Sequence, residues 1–231
     1  MRRMFARVVL IAVALTIGGG FVVAQDLQQK LAAAKQAAAA NQKALRSYSW
    51  LEKVELSLKG EVKATKVDMC RYGADGKVQK TPVVEPPPAE KKRGLRGKVV
   101  AKKTGEMKEE LESAVALIHQ YLPPSPDLMQ VVMNSGTASL AQAGPGFAAL
   151  KFPGYVKAGD ALTLTFESAV KTLHQIDVAT WLDKPDNPVL FKVTMQALPD
   201  GTSHPGIVTL SIPKSKIEVR ITKSNYQKVA Q

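Results

Sequence analysis

The side chains of this 231-residue chain best suited to chemistry are three histidines, one cysteine and a scatter of aspartates. His119, His174 and His204 fall in an expected helix, an expected strand and a loop before a strand. They have no ligand spacing and no cysteine partner, so neither a metal nor any other cofactor is expected. Cys70 has only Arg71 as a charged neighbour in sequence. A lone thiol on a strand is more often a small buried hydrophobe than a nucleophile. Asp160, Asp177, Asp183 and Asp186 lie near turns or on strand faces, where carboxylates serve turn chemistry. Asp68 lies on a strand near an expected bulge, and nothing in sequence pairs with it. No Gly-x-Ser-x-Gly elbow, phosphate loop or zinc-protease helix motif occurs. The expectation is a protein that is not an enzyme.

The elements that would position these residues are mostly strands. Ala161–Glu167 alternates Leu162, Leu164 and Phe166 with Thr163 and Thr165. Val189–Leu198 places Val189, Phe191, Val193, Met195 and Ala197 on one side. Ile217–Thr222 sets Ile217, Val219 and Ile221 against Glu218, Arg220 and Thr222. Period-two alternation means one buried and one wetter face. Further strands are read at Trp50–Lys59, Val62–Tyr72, Val78–Val84, Phe147–Phe152, Leu173–Leu182 and Ile207–Ile212. Glu52 interrupts the apolar face of the first, and a change of phase near Thr65–Val67 suggests the bulge in the second. Ala74-Asp75-Gly76-Lys77, Gly159-Asp160, Pro185-Asp186-Asn187-Pro188 and Pro199-Asp200-Gly201 supply turns. The spacing predicts a sequential antiparallel meander.

Three helices are expected. Gln25–Arg46 is rich in Ala, Gln, Lys and Leu and lacks Gly and Pro. Thr104–Leu122 carries Met107, Leu111, Ala114, Val115, Ile118 and Tyr121 at helical spacing, with Thr104 as N-cap and Pro123-Pro124 as the stop. Ser125-Pro126-Asp127 starts a shorter helix to about Met133. Thr137–Gly146 reads as irregular. Residues 85–103 read as a flexible Pro/Lys-rich loop, and Lys91, Lys92, Arg93, Arg96, Lys98, Lys102 and Lys103 form its basic surface. No aromatic residue lies between them, so nucleic acid is not an expected partner.

Residues 1–24 have the form of a secretory signal: Arg2, Arg3 and Arg7, an apolar Val8–Ile17, then Val22-Val23-Ala24 before Gln25. Cleavage there would leave 207 residues, enough for one domain, in the periplasm or outside the cell. It would lower the formal charge from +12 to +9, by three arginines. A basic balance favours an anionic envelope surface through its long-range field.

The order of elements resembles the periplasmic carriers of the outer-membrane lipoprotein sorting system, the LolA-like proteins. The resemblance is carried by the passage Asn41-Gln42-Lys43-Ala44-Leu45-Arg46-Ser47-Tyr48-Ser49-Trp50 and by the Ala161–Tyr226 meander. Arg71-Tyr72-Gly73-Ala74-Asp75-Gly76-Lys77 and Ser224-Asn225-Tyr226-Gln227 also resemble exported bacterial proteins of an uncharacterised family. The carrier resemblance implies an α+β fold, a curved antiparallel sheet or incomplete barrel packed on a few helices. It implies an apolar cavity and a lipid or lipidated protein as partner. The expected cavity residues are Trp50, Leu111, Val115, Ile118, Leu162, Leu164, Phe166, Phe191, Val193 and Met195. Trp50 and Trp181 serve equally well as core between sheet and helices. Two functions follow: a non-catalytic module binding an apolar or lipid-like ligand, or a cell-envelope interaction protein with a filled core.

Overall fold

The computed structural model describes residue 36 and residues 39–83, 95–169 and 172–229. The expected signal at 1–24, most of the Gln25–Arg46 helix and Lys91, Lys92 and Arg93 lie outside the described residues. A helix α1 at 39–45 leads into β1 (Tyr48–Leu58), β2 (Glu61–Tyr72) and β3 (Val78–Pro82). Helices α2 (Leu95–Ile118) and α3 (Pro126–Asn134) follow. Seven strands close the chain: β4 (Ser139–Gln142), β5 (Phe147–Pro153), β6 (Ala161–Glu167), β7 (Leu173–Trp181), β8 (Pro188–Ala197), β9 (Ser203–Ile212) and β10 (Ile217–Lys228).

All ten strands join one open antiparallel sheet in the order β3-β2-β1-β10-β9-β8-β7-β6-β5-β4. Antiparallel neighbours need only short turns, which Gly and Asp supply. Asp75 accepts the Lys77 backbone N–H at 3.0 Å, and Gly76 takes a φ of 71° in the β2–β3 turn. One face of the sheet packs on the helices. Phe152, Leu162, Leu164, Ile176, Val178, Val189, Phe191, Val193, Val208, Leu210 and Ile212 meet Ala114, Ile118 and Tyr121 of the α2 end and Met129 and Val132 of α3. The strand alternations put these residues on one side, and burying them is the main stabilising term.

Three expectations need correction. Helix α2 begins at Leu95, so Thr104 is an interior residue, not an N-cap, and residues 95–103 are helix, not loop. Lysine and alanine favour helix, and Lys102–Glu106 and Lys108–Glu112 are i,i+4 pairs at 3.8 Å each. The segment read as irregular contains β4, which borrows its order from β5 through the Leu140–Leu150 and Ala141–Ala149 pairings. The bulge in β2 comes earlier than Thr65–Val67: the register slips where Leu56 faces Ala64 and Ser57 faces Val62. For the short helix the expectation holds, with Ser125 as N-cap accepting from the Leu128 N–H and Pro126 opening the first turn.

A second irregularity lies in β10. Its alternation Ile217, Val219, Ile221, Lys223 points to the helix side. Beyond Ser224 the register against β1 slips by one, and Asn225 takes a φ of 53°. Asparagine tolerates this left-handed conformation. The extra residue inverts the alternation, so Tyr226 and Lys228 lie on the helix side, opposite Trp50 and Tyr48.

Candidate functional site

The helix-side face changes character where it reaches β10, β1, β2 and β3. There Lys223 faces Glu52 across β10–β1, and Glu52 faces Asp68 across β1–β2. One row further along, Trp50 faces Cys70, and Cys70 faces Lys80. Cross-strand partners share a face, so these charged residues stand where an apolar residue belongs. All but Lys80 are nearly inaccessible: Glu52 is 2%, Asp68 1% and Lys223 7% exposed.

The charges pair only in part. The Lys80 ammonium donates to Glu52 Oε1, and Lys223 Nζ lies 3.8 Å from Glu52 Oε2. Lys66 Nζ donates to Asp68 Oδ2 at 2.6 Å, with its own side chain half in solvent. Among the described residues, Asp68 Oδ1 and the indole Nε1 of Trp50 are buried with no hydrogen-bond partner. Burial pulls the Lys223 ammonium below its ordinary pKa, and Glu52 opposes this by favouring the charged form. Burial pushes the Cys70 thiol up to about 11, and the negative charge of Glu52 adds to the effect. A thiol so held is a poor nucleophile at neutral pH.

Aromatic rings wall the cluster. Tyr226 stacks on Trp50 at 5.6 Å between centroids, and Tyr72 meets Trp50 at 5.4 Å. His204 lies 4.0 Å from Tyr226, and Tyr48 meets the same ring edge-on at 6.3 Å. Burial holds the His204 imidazole below its usual pKa, against the opposing bond to the Pro205 carbonyl, so it is neutral at pH 7. Tyr48 donates to Asp200 at 2.5 Å. Helix α1 is tied to the rim, where Asn41 donates to the Ser203 carbonyl and accepts the Ser203 N–H at 2.8 and 2.7 Å. Beside the charges, along β1 and β10, half-buried Val54, Leu56, Leu58 and Val219 pack against the main core.

The residues singled out in the sequence divide accordingly. Ile118, Leu162, Leu164, Phe191, Val193 and Met195 fall in the packed core, with Leu111, Val115 and Phe166 against it. Trp50 stands apart, in the charged cluster. Trp181 lies under the Lys157 ammonium, 4.5 Å from the ring centroid. The histidines do not converge, since His119 follows α2 and His174 meets the Phe147 ring at a tilt, 4.6 Å between centroids. Asp160 is buried and structural: Tyr121 donates to it, as do the Val156 and Lys157 N–H groups at 3.2 and 2.9 Å. Asp177 takes Gln175 and Lys192, Asp186 takes Lys214, and Asp183 sits in a turn. Lys102 and Lys103 are exposed on α2, which also carries Arg96 and Lys98. Among the described residues, no group of three or more His, Cys, Asp or Glu is placed to hold a metal. No described helix is long and apolar enough to cross a membrane.

Lys66, Lys80, Lys223 and Tyr226 were not singled out as site residues. For Lys223 a local signal existed, since it continues Ile217, Val219 and Ile221 on the buried phase, as Glu52 does between Trp50 and Val54. An open groove of about 460 Å³ lies elsewhere, at the β4–β5 edge, lined by Leu140, Gln142, Phe147 and Ser168 among others.

No protein-family model and no curated protein matches the sequence. Among solved structures, a DUF1329 family protein from Desulfovibrio piger ATCC 29098 is similar over 82% of this chain and 90% of its own. The sequence identity is 15% and the TM-score 0.37.

Proposed function

We propose that this chain is a non-catalytic, exported module that holds an amphiphilic, lipid-like ligand on the helix-side face of a curved, open sheet. One observation carries the reading: on a single face, a half-buried apolar strip on β1 and β10 ends in a buried charged and aromatic cluster with unpartnered polar atoms. An apolar chain suits the strip and a polar end suits the cluster. The ion pairing of Glu52 and Asp68 and the raised pKa of Cys70 weigh against acid–base or thiol chemistry. The place for the ligand differs from the sequence-based expectation, because Leu162, Leu164, Phe191 and Val193 pack one another in the core.

That packed core favours the second reading, an envelope interaction protein that binds no ligand. Titration of a fluorescent fatty-acid analogue into wild type and Leu56→Glu separates the two. The ligand reading expects saturable binding by the wild type and at least a tenfold loss in the variant. A folded wild type that never binds the analogue leaves the interaction protein as the better account.

A further inference from the structure

Resting on that amphiphile reading, we infer that the Glu52–Asp68–Lys80–Lys223 cluster is a head-group site for a monoanionic lipid whose head also donates hydrogen bonds, the glycerol-phosphate class.

The first argument is charge. Among the described residues, Lys66, Lys80 and Lys223 face two carboxylates, Glu52 and Asp68, which leaves one formal positive charge over; Glu52, Asp68 and Lys223 are buried, and the excess lies on the side where Lys66 and Lys80 meet solvent. Neutral His204 does not change the balance, and the Asp200–Lys228 pair at 3.4 Å cancels itself. Arg46 adds to the excess at the rim, near Tyr72, whose hydroxyl is pushed up by burial with the Arg46 charge opposing. An excess cation at this partly open side attracts a counter-charge, which a singly charged phosphodiester supplies through charge-assisted hydrogen bonds.

The second argument is hydrogen bonding. Trp50 Nε1 is a buried donor and Asp68 Oδ1 a buried acceptor, both without partners among the described residues. A buried polar atom left unpaired loses its bond to water and gains nothing in return. A head that satisfies both must offer an acceptor and a donor together. Phosphate oxygens meet the first need and glycerol hydroxyls the second. A bare carboxylate offers nothing to Asp68 Oδ1. A phosphocholine head brings a second cation into a positive site and has no hydroxyl.

The third argument is layout. Val54, Leu56 and Leu58 continue from Glu52 along the same face of β1, an apolar strip of roughly 13 Å at about 3.3 Å per residue. Lys80 and Lys66 keep their side chains partly in solvent, so the cluster opens toward the β2–β3 edge.

Calorimetry on the full chain tests this with three probes: lyso-phosphatidylglycerol, an alkylphosphocholine with a tail of the same length and no hydroxyl, and the tail-free phosphodiester glycerophosphoglycerol. The glycerol-headed lipid should bind at least tenfold more tightly than the choline-headed one. Lys80→Met should erase that preference, and Lys80→Arg should keep it. Lys66→Met, at an exposed position, gives a second charge-removing variant should Lys80→Met fail to fold. Equal affinity for the two lipids overturns the head-group assignment and leaves the amphiphile reading standing. Glycerophosphoglycerol binding as tightly as the lysolipid overturns the role of the strip. Failure of both lipids and of the fatty-acid analogue overturns both proposals.

Discussion

Glu52→Gln isolates the electrostatics of the cluster. The carboxylate is 2% exposed and is the counter-charge for Lys223, whose side chain is 6% exposed. The change keeps shape and one hydrogen-bonding oxygen but removes the charge. Lys80 can turn outward, since a third of its side chain already meets solvent. Lys223 has no such exit, so its ammonium is left buried without a counter-ion. Breaking a buried pair from one side costs about 3–5 kcal/mol. For a chain of this size that lowers Tm by roughly 6–20 °C. The pH dependence has a definite sign. The folded-state pKa of Lys223 already lies below its unfolded value of about 10.4, and losing Glu52 lowers it further. The unfolded chain then holds more protons than the folded one, so stability rises with pH between the two values. Urea unfolding of Glu52→Gln should therefore show a loss at pH 7 that shrinks toward pH 10. The double variant Glu52→Gln/Lys223→Met should recover most of the loss, because the stranded cation is gone. A Glu52→Gln loss under about 1 kcal/mol, independent of pH, would refute the claim that the pair is buried and interdependent.

Other outcomes follow from the rest of the structure. Tyr121→Phe should cost about 1–3 kcal/mol in urea unfolding, because buried Asp160 and Thr180 both lose a hydrogen-bond partner. Val193→Arg should abolish folding by near-ultraviolet circular dichroism, since Val193 is 1% exposed within the core. Cys70 should resist maleimide at pH 7.5 in the folded protein and react on unfolding, as expected for a buried thiol with a pKa of about 11. Asn225→Val should lower the urea midpoint by an amount worth about 1–2 kcal/mol, whereas Asn225→Gly should be nearly neutral, because the position is left-handed.

Much of the sheet is legible in the sequence, because β6, β8 and the first half of β10 alternate strictly and one buried face leaves no choice of register. β4 is not, since four exposed residues carry no pattern and are ordered only by pairing with β5. The start of α2 is missed because its first turns are charged, and charge reads equally as loop. The cluster is half legible. Glu52 stands out on the buried phase of its strand, but its partner Lys223 is far away in sequence, and only the β1–β10 pairing joins them. Tyr226 is hidden by the bulge at Asn225, which inverts the alternation at the point where a period-two reading stops.

The strand order has a consequence for how the molecule can be cut. The first described strand and the last pair inside the sheet, third and fourth from one edge, with Tyr48 opposite Lys228, while both sheet edges flank the excursion between Pro82 and Ser139. A circular permutant that joined residue 229 to residue 47 by a short linker and opened the chain in that excursion would run β4 to β10, then β1 to β3. Every strand would then pair with its neighbour in the chain. The natural connectivity instead delays one closure, of β1 on β10, across most of the polypeptide, and such a closure carries the largest entropic penalty in forming the sheet. The permutant should fold faster, while its stability falls by what the Asn41–Ser203 hydrogen bonds contribute, since the join leaves α1 out.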